Sequence, residues 1–145
     1  MFLGQYRYSF DDQNRLSMPA AFREPGTAGA FVTQGFDRNL LVLSTSAFED
    51  VYRRVLAMNL TDPLARLLHR MLLGSAAPLD ADEAGRFTLP PALREYAALD
   101  GDVVLVGLGD YFEIWSPALW GEQEAALHDA ATNARRFAVL NLSRG

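Results

Sequence analysis

The sequence predicts an α+β fold made of two tandem β-rich units with flanking helices, related by a pseudo-two-fold within one chain. Three observations lead to it. The stretch from Asp11 to Glu24 recurs without a gap from Asp82 to Glu95, each copy is followed by two short apolar runs, and each half then turns helical after a serine. A search for internal repeats precedes any other reading because a duplication dictates the architecture.

Within the repeat, Asp11 matches Asp82, Arg15 matches Arg86, Ser17 matches Thr88 and Pro19 matches Pro90, while Phe22-Arg23-Glu24 matches Leu93-Arg94-Glu95. Ahead of the first copy, Tyr6, Tyr8 and Phe10 alternate with Arg7 and Ser9, the period of a half-buried strand. Three residues then separate each aspartate from its arginine. The third is Asn14 in one copy and Gly85 in the other, residue types that tolerate positive φ, so both copies predict a three-residue hairpin with a bulge. Pro19 and Pro90 can start a short helix but not continue a strand interior, which predicts a helical turn through Phe22-Arg23 and Leu93-Arg94.

The next strands are expected at Ala30 to Thr33 and Leu40 to Leu43 around a turn at Gly35 to Asn39, then at Val103 to Val106 and Tyr111 to Trp115 in the second half. Ser46 with Glu49 reads as a capping box for a helix whose Phe48, Val51, Tyr52, Val55 and Leu56 share a face. Ser116 caps the matching helix with Pro117 at its first position, and Leu119, Trp120, Leu127 and Ala131 are its expected core face. Between the halves, Asp62-Pro63 starts a helix with Leu64, Leu67, Leu68, Met71 and Leu72 on one stripe, ending at Gly74. That stripe reads as packed core, with a subunit contact as the alternative. The expected boundaries are 1–60 for the first unit, 61–74 for the linker helix, 75–137 for the second unit and 138–145 for a loosely held tail.

Composition narrows the function classes. Half of the 145 residues are hydrophobic and 21% are charged, the balance of an ordered globular protein. With no cysteine, disulfides and thiolate metal sites are excluded. Neither a leader pattern nor an apolar stretch long enough to span a bilayer stands out, so a cytoplasmic location without membrane contact is expected. The net charge of −5 argues against a non-specific nucleic-acid coat, yet all 13 basic residues other than histidine are arginine, whose planar fork suits phosphate and the guanine edge. A coding bias toward arginine explains the same skew. His69 and His128 lie on separate expected helices with no nucleophile or metal-ligand pattern, and the acidic Asp80, Asp82 and Glu83 lack a phosphate loop. No catalytic set, cofactor or metal is expected.

The duplicated Asp-x-x-x-Arg hairpin followed by proline and a short helix resembles the MraZ family, and each half resembles the swapped-hairpin barrel of AbrB-type regulators. Met1-Phe2 with Gly4, Arg66 with Leu72-Leu73-Gly74, Asp82 with Gly85-Arg86, and Val104 to Gly107 before Phe112-Glu113-Ile114-Trp115 extend the match over nearly the whole chain. At the first hairpin the family usually has Lys-Gly-Arg where this chain has Gln13-Asn14-Arg15, so one phosphate-seeking charge is missing. The resemblance implies a nucleoid-associated transcriptional regulator. It would bind double-stranded DNA at short direct repeats in its own promoter, at the head of the division and cell-wall cluster, as a ring-shaped homo-oligomer.

On that resemblance, Arg15 and Arg86 are the first candidates for DNA contact, with Arg7 and Gln13 beside Arg15, since a tight β-turn can enter a groove and glutamine can read an adenine edge. Asp11, Asn14, Asp82 and Gly85 read as structural turn residues. Glu83 in the second turn would repel phosphate, which makes the first hairpin the stronger contact. The competing reading keeps the fold as an antitoxin-like or protein-interaction module without promoter binding, a role that the acidic charge suits.

Overall fold

A computed structural model of the chain describes residues 1–23 and 29–140; Glu24 of the first repeat copy and residues 141–145 of the expected tail lie outside the described residues. The strands are β1 (Phe2–Ser9), β2 (Arg15–Ser17), β3 (Ala30–Gln34), β4 (Leu40–Leu43), β5 (Ala77–Leu79), β6 (Arg86–Thr88), β7 (Asp102–Gly109) and β8 (Tyr111–Trp115). The helices are α1 (Thr45–Leu56), α2 (Pro63–Leu72), α3 (Pro91–Tyr96), α4 (Pro117–Leu127) and α5 (Ala130–Phe137), with a 3₁₀ turn at Ala20–Phe22 where the second half has α3.

Six strands form one antiparallel sheet in the order β1-β7-β8-β4-β3-β5, and β2 pairs with β6 in a separate two-stranded ribbon. Exchanging each strand for its repeat partner reverses that order without changing it. The two AbrB-like units are therefore related by a pseudo-two-fold, and each lends its first strand to the other: β1 pairs with β7, and β5 pairs with β3. The fold is thus α+β with swapped strands, and the duplication explains it, because each unit lacks a partner for the edge that the other supplies. At the β1–β7 pair, Gly4 faces Gly107, and a Cβ on Gly107 would lie 2.5 Å from the Phe2–Leu3 backbone, so the close approach demands glycine there.

The core fills the space between the sheet and the ribbon. On the sheet side it takes Phe2, Val32, Leu40, Leu105, Phe112 and Ile114, and on the ribbon side Leu16, Met18, Phe22, Phe87, Leu89 and Leu93. Phe22 is completely buried, with its ring 5.2 Å from Phe2, 5.1 Å from Tyr6 and 5.2 Å from Phe112, so one aromatic cluster draws on both halves. On the opposite face of the sheet, α4 covers Val104, Val106 and Trp115 through Trp120. Beside it, Phe31 of β3 stacks on Phe48 of α1 at 4.5 Å.

Three helix expectations need correction. Ser44, not Ser46, caps α1: its Oγ accepts from the Ala47 N–H at 3.2 Å, because β4 ends at Leu43 and the extended residue that follows is the cap. The last helical stretch is two helices. Asp129 accepts from the Thr132 N–H at 3.2 Å and starts α5 anew, which leaves Ala131 exposed and Leu127 half out of the fold. The α2 stripe is only partly core. Asp62 caps the helix and Leu72 is buried, but Leu64 is 71% exposed and Leu67 61%, because α2 packs on β3 with one side and turns the rest of its stripe outward.

Candidate nucleic-acid interface

The two hairpin turns are built identically. In the first, Asp11 Oδ1 accepts from the backbone N–H groups of Gln13 at 2.9 Å and Arg15 at 2.8 Å, and Oδ2 accepts from Arg15 Nε at 2.8 Å. In the second, Asp82 Oδ1 accepts from Ala84 at 3.0 Å and Arg86 at 2.9 Å, and Oδ2 accepts from Arg86 Nε at 2.9 Å. Each turn is closed by the aspartate N–H donating to the arginine carbonyl at 2.9 Å. Asn14 at φ 57° and Gly85 at φ 79° occupy the left-handed position that reverses the chain. An aspartate four residues before an arginine is the spacing that lets one carboxylate bind both the turn amides and the guanidinium.

This geometry has an electrostatic signature. The Arg15 backbone N–H above all holds the Asp11 carboxyl below the ordinary carboxylate range; desolvation, second in size, opposes it, and the Arg15 guanidinium and the Gln13 N–H add to the lowering. Arg86 does the same to Asp82. Both arginines are therefore positioned through Nε.

The ribbon brings the two arginines to one surface. Arg15 lies across from Thr88, Leu16 across from Phe87 and Ser17 across from Arg86. Leu16 and Phe87 point into the core, so alternation turns Arg15, Ser17, Arg86 and Thr88 outward together. The arginines are diagonal neighbours, a relation that spans roughly 7–8 Å in an antiparallel pair. Gln13 is exposed at the turn beside Arg15.

Arg7 does not join them. It stands opposite Val104 on the α4 face of the sheet, 64% exposed and 3.7 Å from Glu124, while its neighbours Tyr6 and Tyr8 face the core and the ribbon. The alternation that made β1 recognisable also sends Arg7 to the other side. Arg23 takes a place near the ribbon that sequence reasoning did not assign it. Its Nε donates to the Met18 carbonyl at 2.8 Å, and it lies so close to the second turn that a Cβ on Gly85 would come within 2.4 Å of Nε. The sequence signal was the match of Arg23 to Arg94, but Arg94 instead stacks over the Phe10 ring at 3.9 Å. The exposed ribbon surface thus carries Arg15 and Arg86 with Arg23 at its flank.

Away from the ribbon, Glu113 is, among the described residues, the one carboxylate that burial pushes up. Trp115 Nε1 donates to its Oε1 and Asn39 Nδ2 to its Oε2, each at 2.9 Å, which offsets part of that rise. His69 Nδ1 lies against the Ala65 carbonyl and His128 ends α4, far apart in the chain. Among the described residues, no three histidine, aspartate or glutamate side chains are grouped to hold a metal ion, and no helix is long and apolar enough to cross a membrane.

Comparison with known proteins agrees with this architecture. A family model described as "MraZ protein, putative antitoxin-like" matches residues 1–71 and again 72–140. The chain is 41% identical over 141 residues to a protein of Roseiflexus castenholzii named "Transcriptional regulator MraZ", covering 97% of this chain and 99% of that one. A protein of the same name from Thermomicrobium roseum is 37% identical with the same coverage. A third, from Corynebacterium diphtheriae, is 41% identical over 134 residues, covering 90% of this chain and 94% of its own.

Proposed function

Because the chain belongs to the MraZ family, we propose that it is a transcriptional regulator that binds double-stranded DNA at short direct repeats in its own promoter, at the head of the division and cell-wall cluster. Its site of action is the cytoplasm, on the nucleoid. The observation that carries this reading is the outward pair Arg15 and Arg86 on the β2–β6 ribbon, each oriented through Nε by an aspartate. A two-stranded ribbon fits the major groove, where an arginine fork can meet a guanine edge or a phosphate. Gln13 at the exposed turn and Arg23 at the flank extend the same surface.

The pairing of both arginines on one ribbon favours a joint contact over a dominant first hairpin. Since the subunit carries a net charge of −5, binding rests on a ring of identical subunits that presents the ribbon many times, each copy adding phosphate contacts.

Fluorescence anisotropy with a fragment from upstream of the gene tests the reading. The unaltered protein is expected to bind and to weaken steeply as salt rises, and Arg15→Ala to abolish binding while the circular dichroism spectrum stays unchanged. Equal affinity of the two proteins would overturn the assignment of Arg15. The net negative charge favours a second reading, a protein-interaction module related to antitoxins, and that module would show no salt-dependent DNA binding at all.

A further inference from the structure

The hairpin turns share their internal bonds and differ in what lies against them. Arg23 ends the 3₁₀ turn at φ −89° and ψ 52°, outside helical geometry, whereas its repeat partner Arg94 lies within α3. The Arg23 side chain therefore leaves the path that Arg94 takes and reaches the second turn. Its Nε donates to the Met18 carbonyl at 2.8 Å, and the Met18 N–H donates to the Gly85 carbonyl at 2.7 Å, so two successive links tie the first half to that turn. The guanidinium lies directly against Gly85. A Cβ there would stand 2.7 Å from Arg23 Cζ and 3.0 Å from Nη2.

Only glycine leaves that room. Asn14 and Gly85 both reverse the chain at positive φ, but Asn14 carries a Cβ. The pseudo-two-fold would lay Arg94 over Asn14 as Arg23 lies over Gly85, and Arg94 instead stacks on the Phe10 ring at 3.9 Å. The second turn thus gathers two arginines, its own Arg86 and Arg23 from the other half, while the first presents Arg15 with Gln13. Each arginine of the second turn is anchored through Nε, Arg86 by Asp82 and Arg23 by the Met18 carbonyl. Both reach solvent, the Arg86 side chain being 41% exposed and Arg23 exposed as a whole. Anchoring by the inner nitrogen directs the terminal nitrogens of a guanidinium away from the anchor, where a pair of forks can grip a phosphate. Arg23 also returns the charge that Glu83 takes from this turn.

We infer that Arg23 and Arg86 form a two-arginine site at the second turn that holds a backbone phosphate of the DNA duplex, while Gln13 and Arg15 at the first turn meet base edges. The ribbon then has a gripping end and a reading end, and Gly85 is the residue that separates them. The inference rests on the DNA binding in the proposed function and assigns each turn its task there.

Fluorescence anisotropy over a series of chloride concentrations, on the promoter fragment and on a scrambled fragment of equal length, tests it. Arg23→Gln keeps a donor for the Met18 carbonyl and removes the charge. With an unchanged circular dichroism spectrum, it is expected to weaken binding to both fragments by the same factor. It should also lower the slope of log affinity against log salt by about one for each subunit on the duplex. Arg23→Lys keeps the charge and is expected to keep the slope. Gly85→Asn installs the residue that the first turn already holds, retains both arginines and displaces Arg23 by its Cβ. It is expected to reproduce the Arg23→Gln slope, and the two changes together to weaken binding no more than either alone. Gln13→Ala is expected to narrow the ratio between promoter and scrambled fragments while the slope stays the same. An Arg23→Gln or Gly85→Asn slope equal to that of the unaltered chain, or a loss confined to the promoter fragment, would overturn the phosphate site and leave promoter binding standing. An unaltered chain that binds neither fragment would overturn both.

Discussion

Asp11 holds Arg15 at two points, with Oδ1 on its backbone N–H and Oδ2 on its Nε, each at 2.8 Å. Asp82 holds Arg86 in the same way at 2.9 Å. Since the folded state lowers both carboxyl pKa values, the stability they contribute is present above the ordinary aspartate range and is lost as pH falls through the lowered folded values. Asp11→Asn/Asp82→Asn retains an oxygen for the turn amides but not the charge. Urea unfolding at a series of acidic pH values should show a shallower loss of stability for this variant than for the unaltered protein, and equal slopes would refute the linkage.

Glu113 has the opposite sign. Burial raises its pKa, so its charged form opposes folding, and its favourable contribution is complete below the ordinary carboxylate range and fades as pH rises through the raised value. Glu113→Gln should remove that decline. It also breaks the convergence of two donors, Trp115 Nε1 and Asn39 Nδ2, on two acceptors, so an absolute loss of about 1–3 kcal/mol is expected beside the flatter pH profile.

Arg7 provides a charge-matched control for the ribbon. It lies on the α4 face, 3.7 Å from Glu124, and its pair is largely exposed to water. Arg7→Ala removes the same formal charge as Arg86→Ala. Promoter-fragment affinity should be nearly unchanged by the first and reduced roughly tenfold or more by the second. Similar losses in both variants would mean that only net charge matters.

Phe22 joins the aromatic rings of β1 and β8 in one cluster, so its truncation should act on the whole molecule. Phe22→Ala is expected to cost about 3–5 kcal/mol. Both tryptophans, Trp115 and Trp120, lie in the second half. Their fluorescence should nonetheless follow the shift, coincident with circular dichroism, because the halves share a sheet and a core. A tryptophan midpoint unmoved by this substitution would show that the halves unfold separately.

The duplication and its turns were legible because their chemistry is local. An aspartate four residues before an arginine, with asparagine or glycine between, specifies the turn wherever it occurs, and two copies in register specify the symmetry. The strand exchange is not written in any such window, since the partner of β1 lies in β7 and only the six-stranded order reveals it. The α2 stripe is apolar as its period says, but only Ala65 and Leu72 of the helix are buried in this chain, because periodicity reports what a face is made of and not what lies against it. Among the candidate site residues, Arg15 and Arg86 came together through a ribbon register that joins distant segments, and Arg23 approached Gly85 through tertiary packing alone. Arg7 was the exception, since its place opposite Tyr6 and Tyr8 follows from the alternation itself.

The pairing of β1 with β7 sets an order of events during synthesis. Phe2 meets Gly109 and Ser9 meets Asp102, so β1, made well before its partner, has no ladder until β7 has followed it. Until then the nascent N-terminal half exposes an unpaired strand edge and the apolar side of Phe2, Tyr6 and Tyr8, the kind of surface that recruits chaperones or another nascent chain. Contacts of such long sequence separation also slow closure, which makes completion of the second half the step that commits the molecule to its fold.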